Sequence, residues 1–166
     1  MSRRHIPMLA FAALALLLAC EFAALWPRLP ERLATHFALS GEPNDWATPA
    51  ELARSAARLV AMCAVLFGLA PWLERLPDRV ISLPRKDYWL APERRSATLG
   101  AMRDWLRWLM VVAIAIVALV MTLIMHANLS GPPRLDLRAM LLLAGILAPI
   151  LGMAAGILWR FRVPRP

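Results

Sequence analysis

Four apolar runs, each the length of a membrane-spanning helix or close to it, constrain this chain more than any other feature of its sequence. They cover residues 6–26, 59–73, 105–126 and 137–159. A helix rises about 1.5 Å per residue, so about 20 residues cross a hydrocarbon core about 30 Å thick. The second run is shorter, but Thr48 and Glu51 form a capping-box pattern that predicts a helix start at Pro49. The sequence therefore predicts an all-α integral membrane protein with four transmembrane helices.

The composition supports a membrane protein and excludes several other classes. Of the 166 residues, 60% are hydrophobic and 18% are charged, whereas about a quarter are charged in ordinary soluble domains. The net charge is +8, but the basic residues flank apolar runs and are not interleaved with aromatic residues as in a nucleic-acid-binding surface. Cys20 and Cys63 both lie inside apolar runs, which argues against a disulfide framework.

The distribution of Lys and Arg predicts the topology. One side of the membrane would carry Arg3 and Arg4, eight basic residues between Arg75 and Arg107, and three after the fourth run. The other side would carry four between residues 28 and 58 and two between the third and fourth runs. The positive-inside rule places the first group in the cytoplasm. The many Ala, Leu, Arg and Pro residues beside a single Lys are typical of a GC-rich bacterial genome. We therefore expect a multi-pass bacterial inner-membrane protein, N-in and C-in, with residues 27–48 outside.

The alternation of apolar runs and polar segments divides the chain into three parts. Residues 1–75 would form a unit of two transmembrane helices joined by a structured outer loop. Residues 76–104 would form a basic cytoplasmic loop with an interfacial helix that begins near Pro92, since proline suits the first turn of a helix. Residues 105–166 would contain the third and fourth transmembrane helices and a short cytoplasmic tail.

The polar stretch between the first two runs contains a recognisable motif. Its characteristic residues are Pro30, His36, Phe37, Ser40, Gly41, Asp45 and Trp46. This pattern resembles the membrane family called domain of unknown function 1648 (DUF1648), best known through the SdpI-type toxin-immunity and signalling proteins. The resemblance covers residues 1–75 and implies that the outer loop recognises an extracellular toxin, peptide or envelope component. The larger immunity proteins carry a second set of spans, which the four apolar runs of this sequence do not provide.

A second segment, on the predicted cytoplasmic side, is similar to one found in members of the same family. It comprises Asp87, Tyr88, Trp89, Pro92, Glu93 and Arg94. Basic residues with aromatic residues at an inner membrane surface are ordinarily lipid anchors. Docking of a partner is the alternative.

Glu21 is the residue whose position most needs a physical explanation. It lies in the first span, about 7.5 Å from the outer end by helical rise, and an intramembrane carboxylate is costly unless it is paired. Three interpretations stay open. Glu21 pairs with Arg54 or Arg58; or Glu21, His36 and His126 converge as a binding site for a peptide, lipid or proton; or these residues and the cysteines bind a metal. Their spacing has no metal-ligand signature, so no metal is predicted.

Small residues recur along one face of the fourth run. Ala148, Gly152 and Gly156 follow each other at intervals of four, a spacing that lets transmembrane helices approach closely. The sequence predicts close packing there, either within the bundle or between two copies of the chain.

The sequence contains no motif of an established catalytic site, so we expect no enzymatic activity and no cofactor. The main expectation is a binding or sensing module, or a toxin-immunity-like module, that uses the outer loop. The alternative is a transporter or proton-pathway subunit in which Glu21 carries a proton. The expected partners are the lipid bilayer, an extracellular peptide or envelope ligand, and a second copy or another membrane protein. No nucleic acid is expected.

Overall fold

Long apolar helical segments form the frame of the protein. The computed structural model describes residues 5–38, 40–129 and 131–162. Four segments are long and apolar enough to cross a membrane, namely Ile6–Arg28, Pro49–Arg75, Pro92–Leu129 and Leu137–Arg160. The prediction of a helical protein with four candidate spans is thus confirmed. Arg3, Arg4 and Arg165, which entered the topology prediction, lie outside the described residues.

The helices and strands follow each other in this order. Helix α1 covers Ile6–Leu25 and continues as a 3₁₀ turn over Trp26–Arg28. Strands β1 (Leu33–Phe37) and β2 (Pro43–Ala47) come next. Helix α2 (Pro49–Leu69) continues as 3₁₀ helix over Ala70–Arg75, and a further turn covers Asp78–Val80. The remaining helices are α3 (Lys86–Trp89), α4 (Pro92–Leu129), α5 (Leu137–Gly145) and α6 (Leu147–Arg160).

The connection between α1 and α2, predicted only as a structured loop, contains a β-hairpin. Strands β1 and β2 pair antiparallel, with Leu33 opposite Ala47, and the ladder is irregular on either side of His36. Five residues containing Gly41 separate the strands, which is a common length and composition for a hairpin connection. A two-stranded hairpin is marginally stable by itself, so this one depends on its contacts with the helices.

Helix α4 is the centre of the bundle, and α1 and α2 both pack against it. The main core cluster brings together residues from all three helices and from β1: Leu18, Leu33, Leu52, Ala56, Ala118, Met121, Ile124 and Met125. Leu33 is completely buried. The hairpin therefore contributes to the core, in addition to covering one end of the bundle.

The start of α2 forms as its sequence predicts. Thr48 Oγ1 accepts a hydrogen bond from the Glu51 backbone N–H, and the Glu51 carboxylate accepts one from the Thr48 backbone N–H. This reciprocal capping box begins the helix directly after β2. Asp136 likewise caps α5 by accepting from the Ala139 N–H at 2.8 Å.

The third span is one continuous helix of 38 residues that begins at Pro92. Its first turns belong to the segment predicted as an interfacial helix, without a break from the span. Two ion pairs connect this end of α4 to the end of the second span: Arg103 to Glu74 at 2.6 Å and Arg95 to Asp78 at 2.9 Å. These ends of the two spans are therefore held in register.

The fourth span packs loosely. It is divided into α5 and α6 at Ile146, because Pro149 has no N–H to donate to the carbonyl four residues earlier. Ala148, Gly152 and Gly156 are exposed, and nothing lies within 4 Å of a Cβ built at either glycine. At these two glycines, no other helix of the described chain lies within contact distance of this face. Its close packing stays a prediction for a second copy or another membrane protein.

Asn128 attaches the hairpin to the bundle. Its Oδ1 accepts from the Ala34 N–H at 2.8 Å, and its Nδ2 donates to the Ala34 carbonyl at 2.9 Å and to the Ile124 carbonyl at 2.8 Å. Both Asn128 and Ala34 are buried. The amide therefore pairs with both polar groups of one strand residue, much as a neighbouring strand would. We refer to this pairing as the Asn128 clamp.

The tip of the hairpin has a second attachment, at Gly41. The Leu135 N–H donates to the Gly41 carbonyl at 3.0 Å. Gly41 has φ +81°, and a Cβ at this position would lie 2.4 Å from the Leu135 carbonyl oxygen. Only glycine combines that backbone conformation with so close an approach. Gly41 thus joins the hairpin to the segment that leads into α5.

Replacing Asn128 with Ala should destabilise the protein by about 2 to 4 kcal/mol, because the buried N–H and C=O of Ala34 would each lose their partner. Tryptophan fluorescence during SDS titration in mixed micelles measures this change. Asn44→Ala is the matched control, since Asn44 is exposed on β2. Equal stability of the Asn128 and Asn44 variants would contradict the role assigned to the clamp.

Candidate functional site

The hairpin brings two of the motif residues together as an exposed cross-strand pair. His36 lies opposite Asp45 in the strand register, with Nδ1 3.3 Å from Asp45 Oδ2. The two side chains are 73% and 66% exposed. Because Asp45 faces Nδ1, the other ring nitrogen, Nε2, is available to a ligand. No hydrogen bond among the described residues involves Nε2.

Trp46 extends this exposed surface. Its backbone N–H donates to Asp45 Oδ1 at 2.8 Å, so Asp45 contacts His36 with one oxygen and fixes the following residue with the other. Trp46 is 42% exposed, and Phe37 is half-buried at the end of β1. We call His36, Asp45 and Trp46 the hairpin surface. It offers an exposed imidazole–carboxylate pair, and the next residue of β2 adds an exposed aromatic ring.

Two other motif residues have positions that favour a structural role. Gly41 is buried and makes the close approach to Leu135 described above. Pro30 is exposed in the extended connection between the 3₁₀ turn at the end of α1 and β1. The motif thus combines residues that shape the hairpin with residues that the hairpin exposes.

Glu21 contacts α4 and neither of the predicted arginines. Its Oε2 accepts from Thr122 Oγ1 at 2.5 Å, and its Oε1 lies 3.5 Å from His126 Nε2. The predicted pairing with Arg54 or Arg58 is wrong. Leu18, Phe22 and Leu25, on the same side of α1 as Glu21, pack into the core with α4, whereas both arginines are exposed on α2 and Arg58 donates to Ser55.

The predicted convergence of Glu21, His36 and His126 is formed only in part. Thr122 and His126 are four residues apart on α4 and therefore lie on one face, where both reach Glu21. His36 instead pairs with Asp45 on the hairpin. Among the described residues, no group of three or more His, Cys, Asp or Glu side chains is arranged to hold a metal ion. The two cysteines are not joined: Cys20 is exposed and Cys63 is buried.

The second motif, on the opposite side of the bundle, forms a compact connection between helices. Trp89 is buried, its Nε1 donates to the Phe161 carbonyl at 3.0 Å, and its ring meets that of Phe161 edge to face. Arg94 stacks on the Tyr88 ring at 4.1 Å and donates to the Tyr88 carbonyl. Thr98 donates to the Trp89 carbonyl at 2.9 Å.

These contacts tie the start of α4 to the end of α6. Pro92 begins α4, and Asp87 and Glu93 are exposed. The tyrosine, tryptophan and arginine of this motif therefore have structural partners, and the two acidic residues face outward.

Sequence reasoning missed Asn128 and Thr122. Asn128 follows the third apolar run, and a single amide at such a position gives no indication of its partner. Thr122 lay inside the third run, where an isolated hydroxyl is common. A polar residue one turn before His126 and on the same face was the available signal for Thr122. The hairpin was not predicted either, and the five-residue, glycine-containing connection was the available signal for it.

Residues 10–53 match the family model described as a domain of unknown function, DUF1648. The match covers most of α1, the whole hairpin and the capping box of α2, and it confirms the resemblance that the motif indicates. No curated protein and no solved structure matches the chain significantly.

Proposed function

We propose that this protein, whose residues 10–53 match the DUF1648 family model, is a non-enzymatic binding or sensing protein of a bacterial inner membrane. In this proposal both termini are cytoplasmic and the hairpin lies outside the cell. The ligand is a peptide or another envelope component, as for a toxin-immunity or signalling module of the SdpI type. The observation that carries the proposal is the hairpin surface, in which residues from two strands meet at exposed positions.

The attachment of the hairpin supports a role in recognition. The Asn128 clamp holds one strand, and the contact between Gly41 and Leu135 holds the tip. A surface that is fixed before a ligand arrives loses less conformational entropy on binding than a free loop does. Tryptophan is also among the residues that contribute most to binding free energy at interfaces.

The chemistry of the hairpin surface fits a peptide. Asp45 would orient the imidazole of His36 so that Nε2 accepts or donates one hydrogen bond. The exposed ring of Trp46 would cover an apolar side chain of the ligand.

Replacing Trp46 with Ala should weaken ligand binding about thirtyfold, since loss of an aromatic anchor costs about 2 kcal/mol. A photocrosslinking amino acid at Asn44 would form an adduct with the ligand in living cells. The adduct should be lost with Trp46→Ala and reduced with His36→Ala. Glu31→Ala, at an exposed position before β1, should leave it unchanged. An adduct that survives both hairpin substitutions would contradict the proposal.

A second candidate function rests on Glu21. Its contacts with Thr122 and His126 support a role as a proton-binding group in a transporter or ion-pathway subunit. From Glu21 toward the other end of the bundle the core is apolar, since Leu18, Ile114 and Ala118 are buried there. A pathway would thus need water or a second copy to continue past Glu21, so this function ranks behind binding.

If Glu21 carries a proton across the membrane, an imposed proton gradient should acidify the interior of proteoliposomes that contain the protein. The variant Glu21→Gln should abolish this proton flux. A pH-sensitive dye trapped inside the vesicles measures it. Glu31→Gln is the control, because it removes the same charge from an exposed position. Equal flux in the native protein and in Glu21→Gln would exclude the proton-carrier role.

A further inference from the structure

Two adjoining cavities lie between α4 and the loosely packed fourth span. The first has a volume of about 330 Å³ and lies at the hairpin side of the bundle. The second, of about 430 Å³, lies deeper between the same elements. Leu142 lines both, so one groove runs from the end of the bundle into its apolar part.

The mouth of the groove is basic. Its polar lining consists of His126, Arg134, Asp136 and Arg138. Asp136 caps α5 and His126 faces Glu21, whereas neither arginine forms an ion pair with any part of the chain that the structure describes. Two guanidinium groups therefore remain at the mouth, and their planar forks suit the oxygens of a phosphate.

Below this mouth the groove is apolar. The deeper cavity is lined by Val112, Ala115, Ile116, Leu119, Leu141, Leu142, Gly145, Ile146 and Pro149. The stretch of α4 from Leu123 to Val112 that borders the two cavities is about 16 Å long by helical rise. The fourth span is broken at Ile146, which also lines this cavity. The groove thus changes from cationic to hydrocarbon-like along its length.

We propose that this groove binds one anionic phospholipid, with its phosphate between Arg134 and Arg138 and an acyl chain between α4 and α5. The mouth lies at the end of the spans, where headgroups lie, and the crevice runs toward the bilayer centre. Charge complementarity selects a headgroup with net negative charge over a zwitterionic one, because a choline group would meet the two guanidinium groups. The bound chain completes the packing of the fourth span. The inference is independent of the ligand of the hairpin surface.

The test uses the full chain in phosphatidylcholine vesicles that contain a small amount of phosphatidylglycerol with a photoreactive group on its acyl chain. Peptides from both walls of the crevice, residues 112–119 and 141–149, should carry the label. The double variant Arg134→Gln/Arg138→Gln should reduce this labelling about tenfold, since losing a hydrogen bond to a charged group weakens binding by that factor or more. Arg54→Gln/Arg58→Gln, on the exposed face of α2, should leave it unchanged.

Three further arms of the experiment separate the alternatives. Ala115→Phe fills the crevice and should reduce the labelling with both arginines present. Photoreactive phosphatidylcholine should label the crevice weakly, and excess inorganic phosphate should fail to displace phosphatidylglycerol. The proposal is overturned if the label spreads evenly over all lipid-facing helices or survives the double arginine substitution. Equal labelling by the two lipids, or displacement by phosphate, would also overturn it.

Discussion

The pairing between the Asn128 side chain and the backbone of Ala34 is the interaction on which the rest of the structure depends. A two-stranded hairpin has too few contacts to be stable alone, and both polar groups of Ala34 are buried against α4. The amide satisfies both groups and uses its remaining donor on its own helix. Leu33, which precedes Ala34 in the strand, can then be fully buried in the core. The exposed positions of His36, Asp45 and Trp46 follow from this arrangement.

The polar side chains on the hairpin side of the bundle form separate groups with distinct roles. The Asn128 clamp is buried and structural. Glu21 is held by Thr122 and His126 at the contact of α1 with α4, which offsets the cost of a carboxylate within a span. His36 and Asp45 meet at the surface, where a partner gains access. Arg134 and Arg138 lie at the mouth of the groove beside α5. Binding is thus assigned to exposed groups, and stability to buried ones.

The sequence predicted the parts of the fold that depend on local patterns. The four spans follow from run length, and the start of α2 follows from the short-range capping pattern of Thr48 and Glu51. The partner of Glu21 could not be predicted in this way, because it depends on how α1 rotates against α4. The rotation is set by Leu18 and Phe22 packing into the core, a contact between residues far apart in the chain. For the same reason the motif indicated that its residues belong together, but not which of them the hairpin exposes.

The central claim is that the hairpin surface faces the outside of the cell. Asn44→Cys and Ser96→Cys, introduced separately in a Cys20→Ala/Cys63→Ala background, test it directly, since both positions are exposed and lie at opposite ends of the bundle. In intact cells a membrane-impermeant maleimide should label the cysteine at position 44. It should label the cysteine at position 96 only after lysis. Labelling at position 96 in intact cells, with position 44 protected until lysis, would contradict the account.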